Sequence, residues 1–379
     1  MGIILLLPRL SSLLLPLAFC FIAASSFAQA PPAQPDIALF KDGIMHWQKR
    51  YGRDRNDARY EPSQFVEIAE NLLRYQNPDG GWPKDLDWLA KIEIEEVKRL
   101  KGDALKQSTF DNRNIYPQIE YLSQRFKQKA DERYLAAARR GLDYIFHEQR
   151  PTGGWRGADV DAITYNDEVM TGVMNLLQDI LERKPEYDWV DEAGLKQAKE
   201  SLARAVEVTL KCQIVVDGKK TGWCEQHDHA TFAPVGARAF ELAAICPEET
   251  TDIVRFFMRL PSVDDRMAKS MDAAVKWLES VKIMNTRIER FDIPPARFDY
   301  HTATQDLRVV SDPQARPIWA RFYEIGTNRP FFCNRDGIKV FSLDKVLLER
   351  RTGAAWYGYW PEKLLKKEYP RWVAGREKK

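Results

Sequence analysis

Asp111, Asn112 and Asp167 are the residues from which a chemistry can be built. They lie in two polar clusters, Thr109-Phe-Asp111-Asn112-Arg113-Asn114 and Ile163-Thr-Tyr165-Asn166-Asp167-Glu168. A third cluster, Cys224-Glu225-Gln226-His227-Asp228-His229, runs on to Ala237-Arg238. Carboxylates and amides are hard oxygen donors, which suit Ca²⁺ or Mg²⁺ better than zinc. None of the stretches follows the EF-hand loop pattern. Arginines accompany them (Arg238, Arg308, Arg316, Arg321, Arg329 and Arg335), and a guanidinium fork binds a carboxylate through two parallel bonds. Together these groups point to an anionic substrate held between cations. Helix capping is the competing reading, because Thr109 or Asp111, and Asn166 or Asp167, could each cap a following helix. As a proton-abstracting base, residue type alone favours His229, His227 or Tyr165, since arginine stays protonated over the accessible pH range.

The clusters fall at matching places in an internal repeat. Gln76-Asn-Pro-Asp-Gly-Gly-Trp82 returns as Gln149-Arg-Pro-Thr-Gly-Gly-Trp155 and, more loosely, as Gln213 through Thr221-Gly222-Trp223. Arg351-Thr-Gly-Ala-Ala-Trp356 is a fourth relative. Phe65, Ile68, Ala69, Leu72 and Leu73 lead into the first turn, and Leu135, Ala138, Leu142, Ile145 and Phe146 into the second. This is the stripe of an amphipathic helix, and the glycines supply its stop. Second helices are expected over residues 115–126, 169–181 and 235–245. Repeated helix pairs stack as a solenoid or curl into a ring. The expected fold is mainly α: an α/α-toroid-like helical body over residues 46–287, with a smaller loop-and-strand-rich part forming an open cleft. That smaller part spans residues 288–379, ends in a helical segment and completes one catalytic unit.

The balance of 57 Lys+Arg against 55 Asp+Glu, a net charge of +2, excludes a nucleic-acid protein that works by bulk charge. An apolar fraction of 44% is enough for a real core. Residues 1–28 carry one charge, Arg9, and an apolar stretch that ends at small residues around Ala28, the pattern of a secretory signal peptide. Pro8, Arg9, Ser11, Ser12 and Pro16 keep the apolar run below the roughly 20 residues a membrane span needs. Residues 29–45 read as a linker. A secreted or periplasmic monomer is expected, without a membrane or nucleic-acid partner. The remaining cysteines, Cys212, Cys224, Cys246 and Cys333, allow one disulfide in an oxidising compartment. Only Cys224 with His227 and His229 approaches zinc-ligand spacing.

Several blocks, in this order, resemble those of the family 10 polysaccharide lyases, which are pectate lyases. They are Asp79-Gly-Gly-Trp82-Pro-Lys84-Asp85, Thr109-Phe-Asp111-Asn112, Thr164-Tyr-Asn-Asp167 and Phe232-Ala-Pro-Val-Gly-Ala-Arg238-Ala-Phe-Glu241. Arg321-Phe-Tyr-Glu-Ile-Gly, Arg329-Pro-Phe-Phe and Asn334-Arg335-Asp-Gly337 follow. The resemblance implies Ca²⁺-dependent anti-β-elimination on polygalacturonate (de-esterified pectin). By motif, Asp111 and Asp167 resemble the calcium site, Asn112 a substrate-binding position, and Arg238 the base that removes the C5 proton. Arg321 and Arg335 resemble the arginines that bind galacturonate carboxylates, with Lys84 added to the substrate set. Asn334 stands where an acidic residue is expected. Two rival classes remain: a glycoside hydrolase using a carboxylate pair such as Asp167 and Glu225, and a non-catalytic glycan-binding protein.

Overall fold

Most of the apolar stripes become helices where their spacing predicts them. The helices are α1 Lys41–Trp47, α2 Phe65–Tyr75, α3 Ile94–Lys101, α4 Tyr116–Lys129, α5 Glu132–Glu148, α6 Val169–Leu181, α7 Glu192–Cys212, α8 Pro247–Arg259 and α9 Asp265–Ser280, with α10 Leu348–Gly353, α11 Trp360–Lys363 and α12 Tyr369–Arg376 near the C-terminus. The structure, a computed structural model, describes Met1, Gly2 and residues 37–376. The rest of the expected signal peptide, and residues 29–36 of the expected linker, lie outside the described residues. From Ile37 onward the chain is already helical. α2 buries Ile68, Ala69, Leu72 and Tyr75, and α5 buries Leu135, Ala138, Leu142 and Ile145. The helices pack in pairs, α4 on α5, α6 on α7 and α8 on α9, while α4, α6 and α8 also touch in succession.

The pairs are asymmetric at their starts. α5, α7 and α9 each begin with an aspartate that accepts a backbone N–H: Asp131 from Arg133 at 2.9 Å, Asp191 from Gly194 at 2.8 Å and Asp264 from Met267 at 2.8 Å. α4, α6 and α8 have no side-chain cap. Capping therefore does not account for Asp111 and Asp167.

The repeated turn is a staple. The Gln76 amide donates to the carbonyls of Gly80 and Ala137, both at 2.8 Å. Gln149 donates to Gly153 and Ser201 at 2.9 Å, and Gln213 to Thr221 at 2.8 Å and Ser270 at 2.9 Å. One bond closes the turn; the other grips a helix of the next pair. The buried tryptophan then ties the turn back to the helix it follows. Trp82 donates to Leu72 and Trp155 to Ile145 at 2.8 Å, and Trp223 to Thr209 at 2.7 Å. Trp319 donates to Leu278 of α9 at 2.8 Å, and Trp356 to Arg350 of the short helix Leu348–Gly353 at 2.9 Å. Gly153 sits at φ +108°, and a Cβ there would lie 2.4 Å from the Arg204 carbonyl oxygen. Gly153→Ala is expected to lower stability by roughly 1–3 kcal/mol, because strain and overlap act together. A urea midpoint equal to that of the parent would show that the turn yields instead.

The fold-class expectation needs correction. About 49% of the described residues are helical and 15% are strand, so this is a mixed α and β protein rather than mainly α. Among the described residues no packing of comparable extent joins α9 back to α2, so the strong contacts run along a row of pairs and a closed toroid is not shown. The helix expected over residues 235–245 is absent; that stretch holds a short strand and turns, and the helix begins at Pro247.

The strands, in chain order, are β1 Ile163–Thr164, β2 Val215–Val216, β3 Lys219–Lys220, β4 Gln226–His227, β5 Pro234–Val235, β6 Thr286–Arg297, β7 Thr302–Ser311, β8 Trp319–Ala320, β9 Phe322–Tyr323, β10 Pro330–Cys333, β11 Lys339–Val340 and β12 Tyr357–Gly358. β1, β4 and β5 form a small antiparallel sheet that lays the second polar cluster against the third, pairing Ile163 with His227 and Thr164 with Gln226. β6 and β7 form one long ribbon where long loops and short strands were expected. β9, β10 and β11 make a further sheet, with Phe322, Phe331, Phe332 and Trp356 in a second core. Cys212, Cys224, Cys246 and Cys333 are buried and free, so among the described residues there is no disulfide where one was allowed. His227 is no zinc ligand here: Nε2 accepts from the Cys224 N–H at 3.0 Å and Nδ1 lies 2.9 Å from the Phe232 carbonyl oxygen.

Candidate active site

The uncapped starts of α4, α6 and α8 meet the loops around β9, β10 and β12 at a polar cavity of about 740 Å³. This cavity stands where an open cleft was expected. Lys84, Asn112, Asp167, Arg238, Arg321 and Arg335 all line it. Asp111 lies just behind, 6% exposed, with its carboxylate in an ion pair with Lys84. The turns that deliver these groups are conformationally costly. Asp85, Asn112, Arg113, Ile115, Asp167 and Glu168 all adopt positive φ, which non-glycine residues tolerate chiefly where the surroundings hold them. The Arg113–Glu168 ion pair at 2.8 Å ties the first two clusters together. Asn112 donates to the Asp85 carboxylate at 2.6 Å.

Charge in the cavity is paired but crowded. Burial works against the Lys84 cation, yet Asp111 and Asp85 outweigh it and raise the pKa. Burial, then the nearby Asp111 and Asp42 carboxylates, push the Asp167 carboxyl well up. A buried Asp167 carboxyl whose charge is opposed by burial and by neighbouring carboxylates offers hard oxygen donors that fit a divalent cation. A second group, Glu225, Cys246 and Glu249, places three ligand atoms within 4.8 Å of one another. It suits calcium less well, because a thiol is a soft donor.

Arg321 is buried beside two glutamates. It donates from Nε to Glu225 at 2.7 Å and lies 3.3 Å from Glu241. Burial opposes its charge, but Glu225, Glu241 and Glu249 raise its pKa above the ordinary arginine range. Glu225 in turn is pushed up to about 7 by burial, against the pull of Arg321. Arg238 donates from Nε to Glu241 at 2.8 Å and lies 3.5 Å from Asp159. Arg335 donates to both oxygens of Glu349, at 3.0 and 3.1 Å. Asn334 explains its own departure from an acidic residue: its amide donates to the Lys345 carbonyl at 3.2 Å while its oxygen accepts from Leu347 at 2.8 Å. A carboxylate could not make the first bond.

Several lining residues escaped the sequence reading. Asp42, His46, Lys49 and Arg50 come from α1 and the turn after it, a stretch outside the repeat. Glu248, Glu249 and Asp252 come from the first turns of α8. Pro247 followed by two acidic residues is a helix-start signal that would have found them. Phe240 was also missed; Arg238, Arg335 and Arg350 place their guanidinium carbons 4.9, 5.2 and 4.3 Å from its ring centre. Neither His227 nor His229 lines the cavity, and His229 lies beside Asp161, 3.5 Å away; Tyr165 does line it, but its hydroxyl is turned into the core, where it donates to Thr209 at 3.1 Å.

The architecture is that of the polysaccharide lyases. The chain shares it with the family 10 polysaccharide lyase from Cellvibrio cellulosa, at a TM-score of 0.67 and 24% identity over 80% of this chain and 90% of that one. A mutant of that lyase in complex with trigalacturonic acid matches with a TM-score of 0.66 and 24% identity, covering 80% and 91%. Residues 76–365 match the pectic acid lyase profile, so the chain belongs to the pectic acid lyase family and is a polysaccharide lyase. No curated protein sequence matches it.

Proposed function

We propose that this lyase cleaves polygalacturonate by calcium-dependent anti-β-elimination, with Arg238 taking the C5 proton. The observation that supports this most is the convergence of Lys84, Asn112, Asp167, Arg238, Arg321 and Arg335 on one cavity. The trigalacturonic acid bound by the Cellvibrio lyase mutant supports the choice of substrate. Asp111 and Asp167 would hold the ion, which when bound draws charge from the uronate carboxylate and so acidifies the neighbouring C5 hydrogen.

Arg321 and Arg335 grip uronate carboxylates, and Asn112 and Lys84 orient the sugar. The C5–H pair becomes the C4=C5 double bond, the C4–O bond breaks, and the departing oxygen takes a proton from water. Charge builds on the C5 carboxylate during this step, so cations that hold it favour the transition state over the ground state. Glu241 and Asp159 keep Arg238 charged at rest, although burial works against that charge. Arg321 shares the Glu241 carboxylate and opposes a second cation there. Proton transfer to Arg238 thus proceeds from its minor neutral form, and activity rises toward alkaline pH.

Residues 1–28 act as a signal peptide and the mature protein works as a monomer in the periplasm or outside the cell. Among the described residues no helix is long and apolar enough to cross a membrane. Residues 46–287 and 288–379 work as one catalytic unit, since Lys84 and Arg335 line the same cavity.

Ultraviolet absorbance during incubation with polygalacturonate and calcium tests the reading. The expected result is a steady rise from the unsaturated product that a chelator abolishes and added calcium restores. New reducing ends without absorbance would mean hydrolysis and would overturn it.

A further inference from the structure

Arginines and aromatic rings alternate along one wall of the cavity and continue beyond the residues that match the family. Arg238 lies 4.9 Å from the Phe240 ring, and Arg335 lies 5.2 Å from Phe240 and 5.4 Å from Tyr300. Arg50 lies 5.2 Å from the same Tyr300 ring. Tyr300 is 47% exposed and stands at the tip of the β6–β7 ribbon. Arg50 and Lys49 follow α1, and both precede the matched span of residues 76–365.

The tip is held in place. Arg297 pairs with Asp54, and Arg53 donates to the Phe298 carbonyl, so ribbon and N-terminal segment form one wall. The cations nearest the cavity's centre are neutralised by carboxylates: Arg238 by Glu241, Arg321 by Glu225 and Arg335 by Glu349. Lys49 and Arg50 are exposed, and among the described residues neither has a carboxylate within ion-pair distance. A guanidinium fork takes a carboxylate in bidentate fashion. The half-exposed Tyr300 ring, flanked by Arg50 and Arg335, offers apolar surface to a sugar beside cations for its carboxylate.

We infer that Lys49, Arg50 and Tyr300 form an additional uronate subsite, which takes a sugar of the polymer beyond the one held by Arg335. The inference rests on the substrate proposed above and extends it to chain length. A polyuronate repeats one carboxylate per sugar, and this wall offers successive guanidiniums separated by rings. The subsite therefore discriminates by length: long chains reach it and short ones do not.

Lys49→Ala/Arg50→Ala and Tyr300→Ala are assayed on oligogalacturonates from the trimer to the octamer. The parent's preference in kcat/KM for the octamer over the trimer is expected to fall about tenfold in the double variant, through KM rather than kcat. Tyr300→Ala is expected to lose a similar share of the preference, and Tyr300→Phe to keep it, because the ring and not the hydroxyl does the stacking. Both substituted cations are exposed, and thermal unfolding equal to that of the parent verifies that the fold is retained. If the parent cleaves the series and the double variant keeps the full length preference, the subsite is refuted while the lyase reading stands. If the parent cleaves none of the series, the substrate reading fails first and the subsite with it.

Discussion

Arg238→Ala is expected to lower kcat on polygalacturonate ~100-fold or more, the usual scale for loss of a general base. KM should move much less, because Arg321 and Arg335 carry the carboxylate contacts. Arg238 is half-exposed and its main partner is Glu241, which keeps Arg321 after the substitution, so the variant should fold. Arg238→Lys is the sharper test. A lysine ammonium loses its proton more readily than a guanidinium, so this second variant should retain part of the activity and reach its maximum at lower pH. If Arg238→Ala keeps more than about a tenth of the activity, the base is another group.

Arg321→Ala should cost stability more than any substitution on the surface. Arg321 is the buried cation between Glu225 and Glu241, whose side chains are 2% and 1% exposed. Removing one partner of a buried ion pair costs about 3–5 kcal/mol, because the opposite charge stays buried alone. The loss should depend on pH in a definite direction. Burial holds the folded Glu225 carboxyl near 7, above the ordinary glutamate value. Its protonated form therefore adds stability that is complete below the unfolded value and disappears as pH rises through about 7. Without Arg321 that form is favoured further, so the variant should lose less stability at pH 5 than at pH 8. Urea midpoints at the two pH values give the comparison; equal losses would mean that Glu225 does not take up the proton.

Much of the cavity lining could be read from the chain because its polar clusters stand just before the second helices of the repeat, although their distances from the repeated turn differ. Asp111 and Asp167 occupy corresponding positions before α4 and α6, and the cavity collects their loops where those helices start. The third member of the series was misplaced for a physical reason. Residues 235–245 carry enough apolar side chains to suggest a helix, but Gly236 runs so close to the backbone that an added Cβ would lie 2.7 Å from the Glu241 carbonyl oxygen. The chain there doubles back to pair Arg238 with Glu241. The acids of α8 then take the place assigned to Cys224–His229. Lys49 and Arg50 gave no periodic signal, since they belong to a short helical stretch whose role is to meet the distant ribbon tip. The β6–β7 ribbon reads in sequence as loops and short strands because Pro294 and Pro295 interrupt its alternation, and the register shift between Asp292 and Ala296 accommodates them.

The glutamine staples have a consequence for how the chain reaches its fold. Their long bonds close over 61, 52 and 57 residues, far beyond the reach of a local turn. No turn has its full set of partners until the following outer helix has docked. Order therefore spreads along the row from one neighbour to the next, as in other repeat arrays, and these distant closures set its pace. A chain emerging from its N-terminus holds each new turn half-secured until roughly one more unit has been added, so nascent species should carry their loosest turn at the growing end.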